Sequence, residues 1–312
     1  MNIVYGIVAF VAGAVLAIWA TEKLLEGLVS LSLRLRLSAF LIGAVLSGLE
    51  AENIAVGLAS GGRGNASIAL GTVFGGAIFL VCVALGLGAV FFPLKIQLPR
   101  RILLLFVGSA LLPGVVLFAP VTPRWSGVVL LIAFALAIVY LIRVARTQDI
   151  RPTGEVAEAM EKQRPLWLAI VLTLVGLVVI SVGGELVAFG AERIIALLNV
   201  PALFMGMVVT PAVIELEEIV RQAIPSKEGR HDVSAGNLVG TLLYFTLFNL
   251  GIIALLAPVR VDPLVRQLDW PFLVGVVLLA ACFLWRGLVG RVAGACLLLA
   301  YVIYILLHVL LR

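Results

Sequence analysis

Charge is the scarcest feature of this sequence. Lys, Arg, Asp and Glu make up 12% of the 312 residues, about half the share found in soluble domains. Histidine occurs only as His231 and His308, which excludes an H-E-x-x-H zinc protease. The four aspartates are scattered singly, so the clustered Asp of a Mg2+-dependent lipid-phosphate transferase are missing too. An enzyme is not expected. The three cysteines, Cys82, Cys282 and Cys296, all lie in apolar runs. They read as small buried hydrophobes, not as a disulfide or a metal cluster. The N-terminal "MNIVYGIVAFVAGAVLAIWATEKLLEG" lacks the basic start of a signal peptide and reads as a first membrane helix.

Apolar length is what the chain has in abundance. It is 63% hydrophobic, with a mean hydropathy of +1.21, and runs of about 20 apolar residues recur from end to end. Recurrent spans of that length predict an all-α integral membrane protein, since a barrel would alternate every second residue. Bounded by charge or turn residues, they fall near 3–33, 39–60, 67–92, 101–119, 125–146, 166–197, 201–224, 233–257, 270–287 and 290–311. That is about ten transmembrane helices. The first and sixth are too long for one perpendicular crossing, so they are expected to tilt or project. The only long polar stretch, 147–165, divides the chain into 1–146 and 166–312.

The net charge of +5 calls for no nucleic acid, because Lys and Arg collect in cytoplasmic loops. With the N-terminus outside, sixteen basic residues fall at cytoplasmic ends and six at outer ends. The expectation is N-out, C-out, with 147–165 in the cytoplasm.

Against this apolar background, "GLEAEN" (48–53) and "VIELEE" (213–218) stand out. Sliding the sequence by 165 positions brings Glu50 onto Glu215, Glu52 onto Glu217, Gly71 onto Gly236, Gly75 onto Gly240 and Pro93 onto Pro258 without a gap. An offset of 170 aligns "WATEKL" (19–24) with "FGAERI" (189–194). Five helices per half reverse the second half in the membrane, giving two inverted-topology repeats of five. Sites of such repeats lie between the halves near the midplane. The acidic stretches are then symmetry mates, each mid-helix, and intramembrane carboxylates are functional by default. No basic residue lies nearby until Arg63 or Arg221, so neutralising ion pairs are not expected.

These motifs resemble the calcium/cation antiporter superfamily, which includes sodium/calcium and cation/proton exchangers. Its members carry a G-T-S-x-P-E-like motif on the second helix of each repeat and a G-N-x-x-G-S-N-like motif on the third. Here these are "GLEAEN" and "VIELEE", then "GTVFGGA" (71–77) and "GNLVGTL" (236–242). Pro211, seven residues before Glu218, is similar to the proton-coupled branch. The resemblance implies a secondary transporter with Glu218 as the central ion-binding carboxylate and Asn53 in its place in the first repeat. Glu50 and Glu215 take the hydroxyl position one turn earlier, and Glu52 and Glu217 take the proline position. The serine position becomes Gly76 and Thr241, and a further polar position becomes Leu80 and Phe245.

The implied cation site is Glu50, Asn53, Glu215, Glu218 and Thr241, with Glu50, Glu215 and Glu218 as metal ligands. On helical geometry Glu52 and Glu217 point about 200° away, so they border the site or carry protons. Gly71, Gly75, Gly236 and Gly240 allow close helix packing. Hard oxygen ligands suit Ca2+ first, then Mg2+ or Mn2+. Five carboxylates cannot all stay ionised around one dication, so the site can exchange protons for the cation. With much of the sodium shell missing, H+ is preferred to Na+ as counter-ion. No cofactor is expected. The partners expected are the lipid bilayer and the two ions. A channel, or an exchanger-like fold with another substrate, remain the alternatives. Glu22-Lys23 and Glu192-Arg193 read as interfacial side chains, Glu185 has no assignment, and both histidines read as surface or interface residues.

Overall fold

The computed structural model describes residues 3–35, 49–145 and 159–311. Their regular structure is helical, with two isolated β-bridges and no sheet among the described residues. We number the helices α1 (Ile3–Arg34), α2 (Ala51–Gly62), α3 (Ala66–Phe91), α4 (Arg100–Leu111, extended by the turn Gly114–Leu117), α5 (Arg124–Ala145), α6 (Leu166–Leu198), α7 (Ala202–Ile214), α8 (Leu216–Lys227), α9 (His231–Leu256), α10 (Val265–Trp285) and α11 (Arg291–Leu310). Eight of these are long and apolar enough to cross a membrane, so the chain is an all-α membrane protein. The two other expected crossings carry the acids. The first, 39–60, lies partly outside the described residues, and the second is divided at Glu215.

Sequence explains where each helix lies. α3 is apolar on every side and almost wholly buried, as an all-round hydrophobic helix must be inside a bundle. α1 and α6 run 32 and 33 residues, about 50 Å at 1.5 Å per residue, against a hydrocarbon core of about 30 Å. They pack along each other through small residues. A Cβ on Gly13 would stand 2.8 Å from Gly183 O, and one on Gly27 2.8 Å from Ala169 O. Their other faces leave Val4, Val8, Val15, Leu174 and Val178 exposed, a surface suited to lipid.

The backbone repeats itself. α2 and α3 begin and end 165 positions before α8 and α9. The turns between them pass through Gly64 (φ +81°) and Gly229 (φ +76°), where a side chain would be strained. Each long helix then widens into a π turn, Leu80–Ala84 in α3 and Tyr244–Asn249 in α9. Two isolated bridges join the connecting segments of the two halves. Leu94 pairs with Val289, and Val121 with Arg260.

Candidate functional site

Pro211 has no N–H to donate, and the helix containing it is a π turn at Met205–Val209 followed by a break at Glu215 (φ −88°, ψ 12°). Thr210 Oγ1 reaches back to Met205 O at 2.9 Å. Glu215 caps α8 and Glu50 caps α2, neither with its side chain. Glu215 therefore sits at a helix break and Glu50 just before the first turn of α2, not mid-helix as the sequence suggested. The physical reason is shared: the unsatisfied N–H groups and positive dipole end of a helix favour anionic side chains in its first turn.

All the first-choice residues are buried. Glu50, Asn53, Glu218 and Thr241 are fully buried, and Glu52 and Glu215 nearly so. Asn53 Nδ2 donates to Glu50 Oε2 at 3.4 Å, and Thr21 Oγ1 donates to Glu52 Oε2 at 2.7 Å. Asn237 Nδ2 donates to Glu218 Oε2 at 3.0 Å. Several buried oxygens have no hydrogen-bond partner among the described residues: both of Glu215, Glu52 Oε1, Asn53 Oδ1, Thr241 Oγ1 and Asn249 Oδ1. The Thr241 hydroxyl makes no hydrogen bond to the acids among the described residues. Glu50, Glu52 and Glu217 each place one oxygen within 4.8 Å of the others. Glu52 and Glu217 are thus drawn in, because Glu50 is a cap residue outside the helical 100° progression on which their outward turn was reckoned.

The expectation that no base would neutralise the acids does not hold. Arg221 Nη1 donates to Glu218 Oε1 at 2.8 Å and to Glu50 Oε1 at 3.1 Å. Its Nη2 pairs with Glu217 Oε1 at 2.9 Å. Arg221 is one turn beyond Glu217 and Glu218, spacings at which side chains on a helix meet. That signal was present in the sequence. Asn237 is the Asn of the "GNLVGTL" motif, whereas Thr21 and Asn249, whose Nδ2 lies 3.5 Å from Glu50 O, carried no comparable signal.

The glycines divide. A Cβ on Gly71 would collide with Gly206 backbone, and one on Gly75 with Pro211 Cγ and Met207 backbone. α3 and α7 can approach only because both are Gly. At Gly236 and Gly240 no described residue lies within 4 Å of such an atom, and the positions that mirror 206–211, namely 41–46, lie outside the described residues. At Gly76 a Cβ would stand 2.8 Å from the Phe245 ring and 3.3 Å from Glu215 Oε1. Space for a ring and a carboxylate replaces the hydroxyl there.

Other charges settle elsewhere. Glu185, unassigned in the sequence, and Glu192 share one partner. Arg63 pairs with both, at 2.7 and 3.3 Å, and Asn65 Nδ2 donates to Glu192 at 2.6 Å. Glu22 is exposed, and Arg193 stacks over Phe189. Glu26, unremarked in sequence, is held by Lys23 at 2.7 Å and Arg164 at 3.0 Å. His308 is buried, not superficial. Asp269 Oδ1 lies 2.7 Å from both its Nε2 and the Tyr304 hydroxyl. A cavity of about 390 Å3 beside it is lined by Asp262 and His308 and by none of the glutamates. Of the cysteines only Cys82 is buried; Cys296 is exposed, on a helix face that the apolar run left unspecified.

A family model described as "Sodium/calcium exchanger protein" matches residues 5–143 and 168–310. The chain belongs to the sodium/calcium exchanger protein family. Among relatives of this exchanger-family chain, the inner membrane protein YrbG of Escherichia coli is 24% identical over 289 residues, 88% of this chain and 87% of that one. CaxA of Alkalimonas amylolytica, named as an antiporter, is 25% identical over 308 residues, 94% and 95% of the two chains. A solved structure of the sodium-calcium exchanger NCX_Mj, soaked with Na+ and Sr2+, superposes with a TM-score of 0.63 at 21% identity, covering 97% of this chain and 98% of that one. That likeness establishes a common fold.

Proposed function

We propose that the protein is a secondary active transporter that exchanges a divalent cation, Ca2+ first and Mg2+ or Mn2+ after it, against protons or Na+. The observation that carries this reading is the buried cluster of carboxylates at the starts of two helices, with both oxygens of Glu215 and one of Glu52 left without a hydrogen-bond partner among the described residues. A buried carboxylate without a partner is costly by several kcal/mol. Such a site is sustained by a ligand that supplies positive charge, either a cation or a proton. In this reading Glu50, Glu215 and Glu218 bind the ion, with Asn53 giving a neutral oxygen. Glu52, Glu217 and Thr241 border the site.

The halves 1–146 and 166–312 act as inverted repeats joined by a cytoplasmic linker at 147–165, with both termini outside. Alternating access exposes the site, near the midplane, to each side in turn. The matched stretches of the family model and the shared 165-residue offset in backbone geometry support the division. Proton coupling is favoured over sodium. Of the four hydroxyl and polar positions of the family on α3 and α9, Gly76, Leu80 and Phe245 offer no side-chain oxygen and Thr241 alone keeps one, while carboxylates that lose a cation can take protons.

Ca2+ flux into reconstituted vesicles tests the reading. Uptake should saturate with Ca2+ and be driven by an outward proton gradient better than by an outward Na+ gradient. Flux that never saturates and ignores the opposing ion would make the protein a channel. No flux of any divalent cation would give the fold a different substrate. For orientation, a cysteine placed at Thr153 should react with an impermeant reagent only from the cytoplasmic side.

A further inference from the structure

Arg221 touches a carboxylate from each half through one nitrogen. Nη1 lies 3.1 Å from Glu50 Oε1 and 2.8 Å from Glu218 Oε1, while Nη2 holds Glu217. A Ca2+ bonded to the same two oxygens at about 2.3–2.6 Å would fill the same gap. The guanidinium and the metal exclude each other there. Glu50 and Glu218 are fully buried, but the side chains of Arg221 and Glu217 are 18% and 20% exposed. The outer end of the fork therefore offers a place to which Nη1 can retire without losing Nη2.

We propose that Arg221 is a tethered competitor that sets the selectivity of the site. It yields the Glu50–Glu218 gap to a divalent cation and denies it to Na+. The inference rests on the cation-exchange reading above. Exchanging a guanidinium for Na+ brings no additional positive charge to the carboxylates and breaks charge-assisted hydrogen bonds. A divalent cation brings one more unit of charge, and attraction to the acids scales with it. Tethering also gives the guanidinium a high effective concentration, which a free monovalent ion must overcome. The first half has no counterpart, because position 56, which mirrors Arg221, is a buried valine. Arg221 is thus a specificity-determining residue and is itself no ligand of the ion.

Equilibrium Ca2+ binding to the purified full-length protein at mildly alkaline pH tests this, with NaCl replaced by choline chloride at constant ionic strength. Wild-type affinity should be the same in both salts. Arg221→Gln should bind Ca2+ about tenfold more tightly in choline and lose that gain in NaCl. A purely structural arginine would instead weaken binding when removed. Arg221→Lys keeps the charge but has a single nitrogen, so it cannot hold Glu217 and bridge Glu50 and Glu218 at once. It should tighten Ca2+ binding severalfold while staying insensitive to Na+, and it decides the matter if the glutamine variant does not fold. Ca2+ affinity unchanged by either substitution, or wild-type binding that Na+ already competes away, overturns the role of Arg221 alone. Absence of Ca2+ binding in wild type and variants alike overturns the exchange reading with it. Binding that appears only when Arg221 is replaced overturns the selectivity role, because the arginine then excludes Ca2+ as well as Na+.

Discussion

α2 and α8 start and stop 165 positions apart, each entered through a capping glutamate and left through a turn with a positive-φ glycine. Their chemistry differs. The first half presents Glu50, Glu52, Asn53 and Val56. The second presents Glu215, Glu217, Glu218 and Arg221 at the mirrored positions. One half therefore adds a further carboxylate and its own cation, while the other adds an amide and a methyl-bearing side chain. A common backbone fixes where the groups go, and substitution within it decides which half carries charge.

The strongest way to break this asymmetry is at its charged member. Glu218→Gln should abolish divalent transport in vesicles, a loss on the order of a hundredfold or more, because charge-assisted oxygen ligation at the mirrored position is already only an amide. Lowering the pH attacks both halves at once. Divalent binding must displace protons from the carboxylates, so affinity should fall at least about tenfold as pH drops from roughly 8 to 5. A titration with the same affinity at both ends would favour sodium coupling instead.

Three smaller effects sharpen the comparison. Gly71→Ala should cost about 1–3 kcal/mol in stability, since the new Cβ meets Gly206 backbone, which has no side chain to move aside; thermal denaturation in detergent checks it. Asn53→Ala should weaken Ca2+ binding by about 1–2 kcal/mol, the worth of one polar contact in a buried site. Arg63→Gln should change stability by only about 0–1 kcal/mol, because the arginine and Glu185 are both substantially exposed.

The fold was legible wherever apolar length and repetition carried it. The expected segments 67–92, 166–197 and 233–257 lie within a residue or two of Ala66–Phe91, Leu166–Leu198 and His231–Leu256. The offset of 165 seen in Glu, Gly and Pro reappears in the turns and π turns. The break at Glu215 was harder to read, because Pro211 announces a disturbance without fixing whether the helix kinks or stops. The carboxylates were legible by their rarity. Arg221 counts among the sixteen basic residues expected at cytoplasmic ends, although its i, i+3 and i, i+4 spacing to Glu218 and Glu217 points inward. Its reach to Glu50 depends on how α2 and α8 pack, which no spacing within one helix encodes. The same holds for Asp269 and His308, 39 residues apart, and for Arg63 and Glu185, 122 apart.

The central claim is that carboxylates from both halves share one cation site loaded in competition with protons. Its most direct test is Ca2+ binding to purified wild-type and Glu218→Gln protein in weakly buffered solution, with proton release followed on a pH indicator in the same cuvette. The wild type should bind Ca2+ saturably and release protons in step with occupancy, and Glu218→Gln should do neither. Wild-type affinity and proton release retained in Glu218→Gln would contradict the account and move the ion away from these acids.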